Sequence, residues 1–214
     1  MAKKNMKIGI LTAGGDCPGI NAAIRGVGKT AILEYGMQVI GISSGFLGLI
    51  NEDYVEITDQ NLSGILTIGG TVLGTSREKP FKKNSHLPNQ IDKPKLIKKH
   101  YHELGLDCLV CIGGNGTQQT AYLLSEEGLN IVGIPKTIDN DVWGTDITFG
   151  FDSAVNIGVG RVQKWLPFCK TWQELINERR QHYSSIILKN PTLVKYASGW
   201  ENRVKDLENF IERG

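Results

Sequence analysis

The sequence predicts an α/β protein: a Rossmann-like, three-layer parallel sheet with helices on both faces. Short, nearly continuous apolar runs alternate with longer segments of helical periodicity. The runs are apolar throughout rather than alternating with polar residues, as strands covered on two faces are. Several of them end in glycine- or proline-bearing loops leading into the next element, the pattern of repeated βα units.

Taken in order, "MKIGILTAGG" (residues 6–15) reads as a strand that breaks into glycines. "CPGINAAIRGVGKTAILEYG" (17–36) reads as a helix, with Pro18 suited to its start and Gly36 to its stop. "MQVIGISSG" (37–45) is the next strand, and "LSGILTIGGTVLGTSR" (62–77) holds a short helix and a turn. The polar stretch "EKPFKKNSHLPNQIDKP" (78–94) is a long surface excursion. "KLIKKHYHELG" (95–105) reads as helix, "LDCLVCIGG" (106–114) as strand, "TQQTAYLLSEEG" (117–128) as helix and "LNIVGIP" (129–135) as strand. From about Gly158 the alternation degrades, so the chain is expected to divide into residues 1–157 and a mostly helical tail, 158–214, of no assigned role. In that tail "SSIILK" (184–189) suits one more strand. Val204, Leu207, Phe210 and Ile211 share a helical face, suited to packing or a partner helix.

Composition narrows the function. At 214 residues there is room for one large or two small domains. A formal net charge of +2 gives no case for nucleic acid or a membrane surface. No apolar run approaches the ~20 residues of a membrane span. The opening "MAKKNMKIGILTAGG" is too short in its apolar part for a signal peptide, so a cytoplasmic protein is expected. Cys108 and Cys111 have C-x-x-C spacing, but residues three apart on a strand face opposite ways, so buried thiols are expected rather than a metal pair. "HYH" at His100–His102 is expected on a helix surface, and the four histidines suggest no metal site.

Three loops fall at the expected carboxyl ends of strands, where parallel sheets bind ligands: "TAGGDCPG", "IGGNGTQ" and "PKTIDND". In the first, Gly14 and Gly15 precede a helix whose free N–H groups favour an anion; a tight βα connection alone needs the same glycines. In the second, Gly113, Gly114 and Gly116 allow close backbone approach and Thr117 adds a hydroxyl, so two such loops on one sheet edge suit a polyphosphate. The third carries Asp139 and Asp141 after a strand read as buried, with Lys136, Thr137 and Asp146 nearby. Buried carboxylates need a partner or a task, such as accepting a proton or orienting Mg²⁺; an acidic turn capping its own backbone is the alternative. "GVGKT" (26–30) resembles the end of a P-loop, but its first glycine would be position 23, an alanine, and it lies inside a predicted helix.

Together "KIGILTAGGDCPGINAAIRG", "GISSGFLGLI", "GGTVLGTSR", "LVCIGGNGT" and "IPKTIDNDVWGTDITFGFDSAVN" resemble the phosphofructokinase family, in the family's order, over residues 6 to about 157. "GGNGT" alone is shared in similar form by NAD and lipid kinases; "TIDND" excludes them. The resemblance makes 1–157 a phosphofructokinase-like nucleotide-binding domain, incomplete relative to the two-domain family fold. It implies phosphoryl transfer from Mg-ATP to fructose 6-phosphate, the glycolytic reaction. Gly14, Arg77, Glu78, Gly114, Asn115, Gly116 and Thr117 would lie along the donor. Thr137, Ile138 and Asp139 would contact the sugar phosphate, with Asp139 taking the proton of its 1-hydroxyl and Asp141 in support. Gly116 is the residue of ATP users, whereas Lys136 before "TID" is typical of pyrophosphate users; the pair together resembles an ATP-using branch. Asn115 stands where most members have the Asp that holds Mg²⁺ through water. After residue 157 there is no M-G-R motif and no match to the sugar-phosphate domain, so the donor half of a site is expected and turnover by this chain is in question. A nucleotide-binding or regulatory module, or a truncated product, is the alternative; a homo-oligomer is compatible with either.

Overall fold

The computed structural model describes residues 6–82 and 92–161. The chain divides into two compact units, Met1–Gly158 and Val159–Gly214. All six strands and the four α-helices packed on the sheet lie in the first unit. The expected strand at 184–189 and the apolar helical face at 204–211 lie outside the described residues, as does the middle of the polar excursion.

Six strands form one sheet in the order β3-β2-β1-β4-β5-β6. These are β1 (Lys7–Ala13), β2 (Gln38–Ile42), β3 (Tyr54–Ile57), β4 (Cys108–Gly113), β5 (Ile131–Thr137) and the short β6 (Phe149–Gly150). All neighbouring pairs are parallel except β2–β3, so the predicted parallel sheet carries one antiparallel edge strand. Both core strands β1 and β4 are buried nearly end to end, as their unbroken apolar sequences require.

Helix α1 (Ile20–Lys29) follows β1 and passes into a π-helical turn over Thr30–Glu34, which Gly36 ends at φ 62°. It covers one face, where Ile20, Ala23 and Ile24 pack on Ile8, Ile10, Cys108, Val110 and Ile112. The opposite face is covered by α2 (Phe46–Asn51), α3 (Lys93–Glu103) and α4 (Asn115–Glu126). There Phe46, Leu49, Ile97, Tyr101, Ala121 and Leu124 meet Leu11, Ile42, Leu109 and Cys111. Alternate residues of one strand thus supply two separate cores. Each fully buried Leu or Ile contributes about 1.5–3 kcal/mol relative to exposure.

Two elements differ from the sequence expectation. Helix α2 and strand β3 occupy residues to which the sequence assigns no element. Six residues make too short a period to recognise, and α2 holds a glycine in its middle. That glycine, Gly48, is required by close approach: a Cβ there would overlap the Ser43 carbonyl and lie 2.9 Å from the Asp53 carbonyl. The return is closed by Ser43 N–H to the Asp53 carbonyl at 3.0 Å and Asp53 N–H to the Gly48 carbonyl at 2.8 Å. In β3 only Ile57 is buried, so its sequence has no apolar run to betray it. His100 is the second correction: the ring expected on the surface is 5% exposed, because it lies on the same face of α3 as Ile97 and Tyr101.

Among the described residues no helix is long and apolar enough to cross a membrane.

Candidate active site

The strand order reverses direction at β1. The chain runs outward to β2 and β3 on one side, then returns to β4 and β5 on the other. A crevice opens at such a point because successive loops leave the sheet in opposite directions. Register does the rest: Ala13 lies opposite Gly113, and Gly113 opposite Pro135, so the three chemically unusual loops emerge side by side. They wall a cleft of about 670 Å³ whose lining includes Gly14, Gly114, Asn115, Gly116, Thr117, Lys136, Thr137, Ile138 and Asp139. Arg77 and Glu78 close it from the loop after Gly74.

The glycines act by different means. Gly14, at φ 86°, has its N–H bound to the Ser76 carbonyl at 2.9 Å, and its own carbonyl accepts the Thr75 hydroxyl at 2.6 Å. Its contribution is therefore space and a left-handed backbone, not a donated N–H. At Gly113 an added methyl would overlap the Thr117 side chain and sit 2.7 Å from the Ala13 carbonyl. Gly114 is the N-cap of α4; the first N–H groups of that helix, at Asn115 and Gly116, have no carbonyl one turn earlier to receive them, and both residues line the cleft. No atom lies within 4 Å of a Cβ built at Gly116, so the floor is open there.

Lys136 is the most informative charge. It is 4% exposed, at the penultimate position of β5, and its Nζ donates to the Gly15 carbonyl at 2.6 Å. A buried ammonium bound to a neutral carbonyl leaves a net positive field in the cleft wall. Arg77, Lys79 and Lys82 also line the cleft. Three carboxylates, Asp16, Glu78 and Asp139, face these four cations, and the first two are committed. Asp16 accepts the N–H groups of Cys17 at 2.8 Å and Thr71 at 3.1 Å, and Glu78 pairs with Lys93 at 2.8 Å. The resulting surplus of cations suits a polyanion.

Asp139 and Asp141 are exposed, which corrects the premise that these carboxylates are buried. Strand β5 is itself half-exposed, and its loop turns outward. Asp139 lines the cleft; Asp141 does not, but its carbonyl accepts Asn115 Nδ2 at 3.2 Å, tying the third loop to the second. Asn140, at φ 52°, organises the turn: its Oδ1 accepts the Thr148 N–H at 2.9 Å and its Nδ2 donates to the Asp146 carbonyl at 3.1 Å. The turn is thus capped by its own backbone, and it still presents Asp139 to the cleft.

Lys79, Lys82 and Asp16 were not singled out by the sequence. The two lysines belong to a polar stretch indistinguishable from ordinary surface, and only its position over the cleft gives them a role. The P-loop fragment sits inside α1, and Lys29 there pairs with Asp59 at 2.5 Å, not with the cleft.

Residues 7–166 match the phosphofructokinase family model. The chain belongs to the phosphofructokinase family. It is 64% identical over 159 residues to an ATP-dependent 6-phosphofructokinase 3 of Bacteroides thetaiotaomicron, covering 74% of this chain and 47% of that protein. It is 57% identical over 162 residues to an ATP-dependent 6-phosphofructokinase of Spirochaeta thermophila, covering 73% and 43%. The phosphofructokinase structure from Saccharomyces cerevisiae superposes with a TM-score of 0.68 at 30% identity, over 78% of this chain and 24% of that one. The chain spans about half the length of the curated relatives it matches. Every motif quoted above for the phosphofructokinase resemblance falls within the matched residues.

As for the magnesium that phosphofructokinase chemistry implies, the cleft offers hard oxygen ligands: the Asn115 amide oxygen and the Asp139 carboxylate. No group of three metal-ligating side chains gathers there among the described residues. That suits an ion arriving with the donor's phosphates and keeping most of its water.

Proposed function

We propose that this chain carries the donor side of a 6-phosphofructokinase site. The cleft binds Mg-ATP and directs its terminal phosphoryl group to the 1-hydroxyl of fructose 6-phosphate. The observation that carries this reading is the cation surplus around the α4 N-terminus, with buried Lys136 at its centre. Phosphoryl transfer asks a protein mainly for position and charge neutralisation. Arg77 and Lys136 supply charge, Gly114 to Thr117 the helix terminus, and Gly14 the room for a phosphate to come close. Asp139, exposed and at the cleft mouth, is placed to accept the hydroxyl proton, with Thr137 and Ile138 beside it and Asp141 held through Asn115. Bound Mg²⁺ would offset phosphate charge, with the Asn115 oxygen as its ligand through water. ATP is favoured over pyrophosphate by the open floor at Gly116 and by the names of the most similar relatives.

A second reading, a nucleotide-binding module without turnover, is favoured by one observation. Asp139 and Asp141 are solvent-exposed, and among the described residues no further wall closes over a sugar phosphate. Fructose 1,6-bisphosphate formation by the purified chain separates the two, with ATP and pyrophosphate tried in parallel. Product that is lost in Asp139→Ala supports the enzyme. Stabilisation by Mg-ATP without product establishes the binding module; neither response overturns both.

A further inference from the structure

We propose that Glu52, His100 and Glu103 form a site for a divalent transition-metal ion of the zinc class, away from the cleft. Their ligand atoms lie within 4.8 Å of one another, and none of the three lines the cleft. His100 is the anchor. Its Nδ1 is 2.8 Å from the Leu49 carbonyl, which can only accept, so Nδ1 carries a proton and leaves Nε2 as the nitrogen open to a ligand. That second nitrogen faces Glu52 Oε1 at 3.8 Å, beyond hydrogen-bond reach. The nearly buried ring thus lies beside two carboxylates, with the Glu52 oxygen the one facing Nε2.

The backbone adds to the same imbalance. Glu52 is the C-cap of α2, while His100 and Glu103 stand three apart in the last turn of α3. The C-terminal end of α3 carries partial negative charge, although its carbonyls at His100, Tyr101 and His102 already accept backbone N–H groups. The neighbouring cation, Lys99, is 3.6 Å from Glu103 and lies on the exposed side of the helix. Such a gathering of electron-rich groups is stable around a cation: either a proton on Nε2 or a metal ion. A ring held by a backbone carbonyl through one nitrogen is the usual way a metal-binding histidine is oriented. One imidazole nitrogen with two carboxylate oxygens selects zinc-like ions over Mg²⁺, which prefers oxygen alone.

Tetrahedral ligands at zinc distances stand ~3.3 Å apart, so the carboxylates must close in by about 0.5 Å from 3.8 Å and by up to about 1.5 Å at the 4.8 Å limit. They are able to: their side chains are 60% and 52% exposed, on a ring that is fixed. Three protein ligands leave one place for water. Because α2 and α3 both pack on the same core, a bound ion would clip their C-terminal ends together.

The test uses the full 214-residue chain stripped of metal, titrated with Zn²⁺ by calorimetry and with Co²⁺ by visible absorption. One equivalent of Zn²⁺, a cobalt spectrum of nitrogen–oxygen coordination, and a raised melting temperature are expected, with no response to Mg²⁺. The paired change Glu52→Gln and Glu103→Gln keeps the shape of two exposed side chains, so folding is preserved. Losing two direct ligands should weaken Zn²⁺ by at least the ~10–100-fold that loss of an outer partner costs, while His102→Ala leaves it unchanged. Absence of Zn²⁺ uptake by the wild-type chain, equal affinity in the paired variant, or an equal loss in His102→Ala would overturn the proposal.

Discussion

At position 115 the side-chain amide donates from Nδ2 to the Asp141 carbonyl at 3.2 Å, so the residue is a tie between two loops as well as a ligand in prospect. A carboxylate there could not donate. It would instead set a negative oxygen against the Asp141 carbonyl, an arrangement that needs a cation between them. Asn115→Asp should therefore trade a metal-independent tie for a metal-dependent one. In chelator the variant is expected to melt lower than wild type by the equivalent of about 1 kcal/mol, the ordinary worth of one hydrogen bond. With Mg²⁺ and ATP it should recover and bind the nucleotide more tightly than wild type. Thermal melts in EDTA and in Mg²⁺ read both effects. Identical melting in the two conditions would mean that the tie has no mechanical role.

Strand β4 shows how one element serves two cores. Cys108 packs with α1's core and Cys111 with that of α3 and α4, as spacing of three on a strand requires. Burial pushes both thiols above their ordinary value of 9.0. Cys17, in the cleft wall, is raised by burial too, with the Lys136 charge opposing. The sign follows from which state ionises first. Below about pH 9 the thiols are protonated whether folded or unfolded, and stability is complete. Above it the unfolded chain loses these protons while the folded chain keeps them, so stability falls with rising pH. The urea midpoint should be flat through neutrality and drop beyond about pH 9, with a shallower drop in Cys111→Ala despite its lower starting point. A wild-type midpoint unchanged well past that pH would refute the account. This element, like β1 and the helices beside it, was legible because a strand covered on both faces must be apolar throughout. Strand β3 was not, since an edge strand with one buried residue leaves no such trace, and α2 was too short to show a period. Two of the three cleft loops were legible from glycine placement at strand ends, and the third from Asp139 and Asp141 following a strand. The bridge from Lys136 to Gly15 was not, because it joins residues 121 positions apart and depends on the β1–β4–β5 register. Nor was the burial of His100, which rests on a return loop invisible in the sequence.

Across the described molecule, apolar exposure is unevenly placed. The stretch that follows β5 and includes β6 exposes Trp143 at 95%, Ile147 at 61% and Phe149 at 48%, whereas the sheet centre is closed. Scattered exposed apolar residues are ordinary; several within one short segment beside an edge strand are a site of association. Strand β6 pairs with β5 through only two residues, and among the described residues no strand pairs with its other side. Desolvating that segment against another chain would recover the burial that a monomer forgoes, about 25 cal/mol for each Å² of apolar surface. The purified chain is therefore expected to self-associate as concentration rises. Sedimentation velocity across a wide concentration range should show the larger species, and the paired change Trp143→Ser and Ile147→Ser should remove it. Neither residue lines the cleft, so Mg-ATP binding should survive in that variant. A chain that stays monomeric at every concentration would show that this segment is tolerated in water. A variant that loses nucleotide binding along with association would instead show that the outward turn after β5 holds the third loop of the cleft in place.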